Sequence, residues 1–280
     1  MGIFQFTRHL ATQKTSSAPL TLQSLSPFIR SRHPPSSVAL VRPDDFIFYP
    51  NYLSEEEQEV LIGLGLWKLE RSGTVSERRS RRRKKTEEEG EKHREAQSGL
   101  QRLFSGNYGF EQGHYDSVIH HYRETLFSSL PPHPPPSLIS TLIKIYSLFP
   151  LLPEPFLREP ATNNLPPQGT ITHFLHLAPE GEILGHIDNL GASGKVILGV
   201  SLGGERTMRL SRRKEDGDDG WDVRLSSGSV YIQRDCVRYN YEHAILPYGH
   251  EGSIWDGKRL EKGHRLSIMV RDAPTRSEGL

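Results

Sequence analysis

From Gly169 onward the apolar positions either alternate with polar ones or run in short blocks bounded by glycine and charged turns. This pattern predicts a succession of strands. Thr170 to Ala178 alternates, and Lys195 to Leu202 is a nearly continuous apolar run. Arg206 to Ser211 pairs with Trp221 to Leu225 across the turn Glu215-Asp-Gly-Asp-Asp-Gly220, and Gly228 to Gln233, Glu242 to Leu246 and His264 to Arg271 supply the remaining strands. No crossover helices separate them, so the expected fold class is α+β: a double-stranded β-helix (jelly roll) with N-terminal flanking helices. Ahead of Gly169 the period is helical. Ser54 and Glu57 form a capping-box signature before Val60, Leu61, Leu64 and Trp67, which recur on one helical face. A second helix is expected from Asp116 through Ile119, Tyr122, Leu126 and Phe127, stopped by the prolines at 131 to 136. A third starts at Ser137 with Leu138, Leu142, Ile145 and Phe149 inward. Prolines at 150, 153, 155, 160, 166 and 167 predict an extended connection into the strand-rich half.

Charge refines the boundaries. The first 43 residues hold no Asp or Glu but carry Arg8, Lys14, Arg30, Arg32 and Arg42 among many hydroxyl and small residues. That composition suits a mitochondrial presequence leading to the matrix, so residues 1–43 are read as a targeting segment and folded sequence is expected from Asp44 to Pro274, with 275–280 as a tail. Within it, residues 76–102 place a basic block, Arg78 to Lys85, beside an acidic one. They bury no apolar surface, which predicts an exposed insertion. At 280 residues, 35% hydrophobic and 25% charged, the chain can bury one substantial core. Its 35 basic and 34 acidic groups give a net charge of +1, so no global field favours a polyanion. A single cysteine, Cys236, excludes an intramolecular disulfide and reads as a small buried apolar residue. No apolar stretch is long enough for a transmembrane segment.

The candidate chemistry sits in the strand-rich half. His186 and Asp188 are two apart, on one face of an extended chain, and His243 follows 55 positions after Asp188 from what should be a strand of the opposing sheet. Two imidazoles and one carboxylate form a facial triad for Fe(II) that leaves adjacent positions open, and the lack of cysteine ligands argues against structural zinc. His173 and His176 are the closest competitors, but they fall on opposite strand faces with no carboxylate neighbour. Arg265 and Arg271 share a strand face at the two ends of an apolar run. A buried guanidinium there requires an anion, either an Asp or Glu or a dicarboxylate such as 2-oxoglutarate, to which Tyr231 could add a hydroxyl.

In this order, His186-x-Asp188, His243 and Arg265-x5-Arg271, the chain resembles the iron- and 2-oxoglutarate-dependent dioxygenases of the AlkB family, over roughly Asp44 to Pro274 without the charged insertion. The segments Gly228-Ser-Val-Tyr-Ile, Arg238-Tyr-Asn-Tyr-Glu-His243 and Tyr115 to Thr125 are most similar to the mitochondrial branch of that family in animals. The resemblance implies that His186, Asp188 and His243 bind Fe(II), that Arg265 and Arg271 bind the co-substrate 2-oxoglutarate, and that Tyr231 bonds its distal carboxylate, with dioxygen as second co-substrate. Nucleic-acid-repairing members carry Asn-x-Tyr ahead of the H-x-D motif, where this chain has Leu175 and Leu177; Leu177 would line the co-substrate pocket and Tyr231 replace the missing hydroxyl. The substrate implied is a protein or another non-duplex molecule, with a link to fatty-acid metabolism or regulated necrosis, and duplex DNA is not expected. Two alternatives stay open at this point: a mitochondrial RNA (tRNA) N-demethylase using Arg81, Arg82 and Arg83, and a catalytically silent jelly-roll interaction module.

Overall fold

The computed structural model describes residues 18–32, 41–72, 99–106, 108–113, 117–152, 165–189, 191, 194–212 and 220–273. In chain order its elements are β1 (Leu20–Thr21), β2 (Ile29–Ser31), β3 (Phe46–Tyr49), α1 (Glu55–Arg71), β4 (Glu111–Gly113), β5 (Ile119–Leu126), α2 (Pro136–Tyr146), β6 (Thr170–His186), β7 (Val196–Gly203), β8 (Arg206–Arg212), β9 (Gly220–Leu225), β10 (Ser229–Arg234), α3 (Asp235–Asn240), β11 (Tyr241–Ile245), β12 (Ile254–Trp255), β13 (Lys258–Arg259) and β14 (Arg265–Asp272).

Twelve strands form one sheet, ordered β1-β3-β10-β7-β14-β6-β11-β8-β9-β2, with β5 on β6 and β4 on β5 off that path. The pairing is antiparallel throughout the described ladders, as expected where short connections replace crossover helices. This is the expected jelly roll. Its curl depends on β6, whose first half, Thr170 to Leu177, pairs with β14, while Ile183 and His186 near its end pair with β11. Between the halves the strand changes neighbours, and the fully buried Arg206 holds the crossing. Its guanidinium donates to the carbonyls of Ala178, Pro179 and Gly181 and lies 3.8 Å from the Tyr248 ring centre.

Alternation along the strands separates two apolar layers. Leu198, Val200 and Leu202 of β7, Val230 and Ile232 of β10, and Leu266, Ile268 and Val270 of β14 pack outward against Leu61, Ile62 and Leu64 of α1 and Leu142 and Ile145 of α2. The intervening positions face the barrel interior, where Leu175, Leu177, Tyr231, Met208, Leu210, Val223, Leu225 and Ile245 gather. α1 starts where the sequence indicates. The Ser54 hydroxyl accepts from the Glu57 amide and the Glu57 carboxylate accepts from the Ser54 amide, a cap that contributes about 1 kcal/mol.

Four expectations change. The helix read from Asp116 is instead β5, and Asp116 itself lies outside the described residues. A bulge causes the misreading. His121 adopts φ +50° and the register on β6 shifts between His120 and Tyr122, so Ile119 and Tyr122, three apart, meet the same core and imitate a helical period. The strand-rich half also contains the short helix α3. Third, ordered packing begins well before Asp44. β1 pairs with β3, β2 pairs with β9, and Leu22 and Ile29 are buried beside Phe46 and Phe48. β1 and β2 are the two ends of the sheet path yet consecutive in sequence, so residues 22–28 join its far edges. Finally, Cys236 is partly exposed rather than buried. Residues 1–17, 73–98 and 274–280, including most of the charged insertion and Arg81, Arg82 and Arg83, lie outside the described residues.

Candidate metal centre and co-substrate pocket

His186 ends β6, and Asp188 follows in the next turn of chain. His243 stands directly opposite His186 on β11, the strand paired with β6, rather than on the opposing sheet as the sequence suggests. Register brings the three together: one ligand atom of each lies within 4.8 Å of the others. Nε2 of His186 is 3.2 Å and Nε2 of His243 is 3.7 Å from the same Asp188 oxygen, Oδ1, and the two rings are 4.3 Å apart.

The proton inventory at this point favours a cation. Nδ1 of His186 lies 2.9 Å from the Leu184 carbonyl, which can only accept, so Nδ1 carries the ring proton and the neutral ring presents its Nε2 lone pair to Asp188. Two lone-pair atoms then face each other, and beside them the buried Nδ1 of His243 has no hydrogen-bond partner. Burial holds the His243 pKa down to about 4, with the Asp188 charge opposing and His186 and Arg271 reinforcing. Burial acts to raise the Asp188 pKa, but the contacts with His186 and His243 and the Arg271 guanidinium hold it well below the usual carboxylate range. A neutral imidazole pair around an ionised carboxylate is the donor set a divalent first-row metal needs, so these residues fit Fe(II).

Arg271 and Arg265 have different partners. Nη2 of Arg271 approaches Asp188 Oδ2 to 2.7 Å, an ion pair that leaves Oδ1 to the imidazoles. A side-chain carboxylate therefore does occupy Arg271, one of the two outcomes the sequence left open. Arg265 is 2% exposed and donates from Nε to the Ser201 hydroxyl at 2.9 Å, with no carboxylate in ion-pair range among the described residues. Burial lowers its pKa, countered by the Tyr231 and Tyr248 fields. A buried guanidinium without a counter-charge is a site prepared for an anion.

Tyr231 faces the same interior from β10, where burial raises its pKa while the Arg265 and Arg271 charges pull it down. Its ring lies across Gly199 of the neighbouring strand, where an added Cβ would stand 2.2 Å from the ring carbon Cζ. Leu177 is fully buried opposite Arg265. The structure thus brings His186, Asp188, His243 and Arg271 into contact and sets Arg265, Leu177 and Tyr231 on one interior face. Three supporting residues were not singled out from sequence: Gly199, Ser201 and Ser229, whose buried hydroxyl has no partner beside Ser201 on the adjacent strand. Their signal is a lone small or polar residue at an inward position of an otherwise apolar strand.

Comparison with known proteins agrees with this geometry. Residues 162–271 match the 2OG-Fe(II) oxygenase superfamily. The chain is 30% identical over 232 residues to the mitochondrial alpha-ketoglutarate-dependent dioxygenase alkB homolog 7 of Mus musculus, covering 82% of this chain and 80% of that protein. It is 32% identical over 169 residues to the Bos taurus protein of the same name, covering 59% of this chain and 66% of that one. A solved structure of OsALKBH1 is similar over 83% of this chain and 99% of that chain, at 16% identity and a TM-score of 0.46. The chain belongs to the AlkB family of dioxygenases, enzymes that use Fe(II), 2-oxoglutarate and dioxygen.

Proposed function

We propose that His186, Asp188 and His243 hold Fe(II), that Arg265 with Tyr231 binds the distal carboxylate of 2-oxoglutarate, and that Arg271 and Leu177 line the rest of its pocket. The observation that carries this reading is the convergence of two imidazole nitrogens on one carboxylate oxygen, with the counter-charge-free Arg265 on the same interior face. Bound iron supplies oxidation of a substrate C–H bond by dioxygen, coupled to decarboxylation of 2-oxoglutarate to succinate. The chain's own part is positional. Asp188 stays ionised and divides its oxygens between the imidazoles and Arg271, Leu184 fixes the His186 tautomer, and the apolar interior restricts water. The substrate we favour is a protein side chain or another non-duplex group. Leu175 and Leu177, at positions where nucleic-acid-repairing members carry polar groups, are both buried among apolar neighbours.

Oxygen-dependent succinate release from the iron-loaded protein tests this reading. Wild type should turn over 2-oxoglutarate, and Asp188→Ala should lose both iron binding and turnover; iron retained by the variant would remove the triad. The same reading places the protein in the mitochondrial matrix, with its targeting segment ahead of β1. Deleting residues 1–17 should then abolish mitochondrial delivery while leaving turnover intact. Deleting 1–43 would also remove β1 and β2, including the bond from Arg30 to Asp222, and should lower Tm. Continued delivery of the shorter deletion would displace the signal from this segment.

A further inference from the structure

One histidine of the interior is used by neither the metal centre nor the scaffold. His173 lies at an inward position of β6, opposite Met269 of β14, between the pairs Ser267–Leu175 and Arg271–Ile171. His120, His176, His186, His250 and His264 each make a hydrogen bond through a ring nitrogen, whereas the partly buried ring of His173 makes none among the described residues. Burial and the neighbouring Arg271 charge depress its pKa against the opposing pull of Asp188, so the ring is neutral and stands within the field of the site. A neutral imidazole offers one donor and one acceptor, and on His173 both remain reachable by a ligand.

The register shows what it faces. Four positions form one cross-strand row on the interior face: His173 on β6, Met269 on β14, Gly199 on β7 and Tyr231 on β10. Gly199 has no side chain and the Tyr231 ring fills its place, with the hydroxyl oxygen 2.5 Å from where a Cβ would stand. The hydroxyl is therefore carried one strand nearer to His173. Two strand spacings, about 9–10 Å, separate the Gly199 and His173 backbones. Met269 stands between them on the same face with its sulfur 3.8 Å from Nη2 of Arg271, so His173 and the Tyr231 hydroxyl approach the interior beside Arg271 from opposite sides. Arg271 lies one row to one side, and Arg265 lies two rows to the other.

The geometry points to His173 as a further anchor of the 2-oxoglutarate pocket, donating a hydrogen bond to the part of the keto acid nearer Arg271 from the side opposite Tyr231. This inference rests on the co-substrate site proposed above. It assigns a specific cost to losing the donor, and it separates His173 from His176, three residues away on the outward face.

Anaerobic titration of the manganese-loaded protein with 2-oxoglutarate, read by calorimetry, tests it, with KM and kcat for succinate release as second readouts. His173→Phe should weaken 2-oxoglutarate about tenfold, the effect of one hydrogen bond to a charged group, and raise KM by a similar factor with kcat little changed. His173→Gln should recover most of the affinity, because its amide nitrogen reaches a place close to that of Nε2, while manganese affinity stays that of wild type. Unchanged affinity in His173→Phe, or an equal loss in the Phe and Gln variants, would overturn the proposal. If His173→Phe does not fold, His173→Asn takes its place, and its shorter reach should bind more weakly than Gln. Wild type failing to bind 2-oxoglutarate would instead sink the co-substrate site itself, an outcome distinct from a variant that binds as wild type does.

Discussion

Strand β6 contributes one histidine to each of two pairs, and the pairs behave oppositely. At its end, on the interior face, His186 stands 4.3 Å from His243. Ten residues earlier, on the outward face, His176 stands 5.1 Å from His264. The outward pair is satisfied. Arg123, always a donor, gives a hydrogen bond to Nδ1 of His176 at 3.1 Å, so the His176 proton must sit on Nε2, which donates to Nδ1 of His264 at 3.1 Å. Phe104 and Phe110 stack on His264, and Tyr108 meets His176 edge-on while lying 4.2 Å from the Arg123 guanidinium. Arg123 Nε and His176 Nε2 each find an acceptor along this chain, and the stacked rings of Phe104, Tyr108 and Phe110 are knitted to the sheet by it. On the interior face the two imidazole nitrogens converge on one carboxylate oxygen, which the lone pair of His186 faces, and His243 Nδ1 has no partner. Residue type is alike in the two pairs. What separates a binding site from scaffold is whether the protein itself completes the hydrogen-bond inventory.

Removing one ring from the incomplete pair should have the largest effect. His243→Leu keeps the volume approximately and deletes a buried nitrogen that had no partner, so stability of the iron-free protein should change by less than about 1 kcal/mol. Iron affinity should fall roughly a hundredfold or more, since loss of an outer hydrogen bond to a metal ligand alone costs up to that factor. Calorimetric iron titration beside a thermal melt reads both arms. A large stability loss with iron binding preserved would place His243 in the scaffold and erase the distinction.

The same contrast explains what was legible in the sequence. The jelly roll followed from inward and outward alternation in β7, β10 and β14, a local property. The triad followed from His186 and Asp188 two apart, plus one distant histidine. Neither the role of His176 and His264 nor the support of Arg265 by Ser201 was legible, because each depends on which strands become neighbours. Sheet order places β14 between β6 and β7, and only that adjacency sets Leu266 beside His176 and Ser267 beside Ser201. The β5 helix expectation failed for a related reason. A bulge is an exception to the period of two, and nothing in Ile119 to Tyr122 marks His121 as the residue that takes positive φ. The N-terminal boundary failed because composition alone does not reveal that Leu22 and Ile29 find places in a core built by residues far along the chain.

Removing a ring from the complete pair should give the mirror result with a smaller amplitude. His264→Leu leaves the Nε2 proton of His176 buried without an acceptor, which costs about 2 kcal/mol and lowers Tm by roughly 4–8 °C. Iron affinity should stay that of wild type, because the outward face is separated from the metal centre by the sheet. A thermal melt and the same iron titration check this. A loss of iron affinity comparable to that of His243→Leu would mean that the two pairs are coupled and that the division into site and scaffold does not hold.

The smallest effect is in pH dependence, and its sign follows from the direction of the shifts. Burial, with Arg123 and His264 adding to it, pushes the His176 pKa down to about 2. Burial pushes that of His264 down to about 4, with Glu180 opposing and Arg123 and Arg206 reinforcing. Unfolded, both rings titrate near 6.5. Between pH 6.5 and 4 the unfolded chain binds protons that the native rings refuse, so stability falls as pH falls through this window and these rings add no slope above it. His173 and His243 act in the same direction in iron-free protein, and Asp188, whose pKa is also lowered, contributes stability that is lost only as pH falls below its unfolded value of 3.8. Comparing iron-free wild type with His264→Leu isolates the outward pair. Urea midpoints should fall from pH 7 to 4.5 in both proteins and less steeply in the variant, because one proton-refusing ring is gone and the other has lost the neighbour that reinforced its shift. Equal slopes would show that the outward rings take up protons in the native state, and the tautomer order deduced from Arg123 would then be wrong.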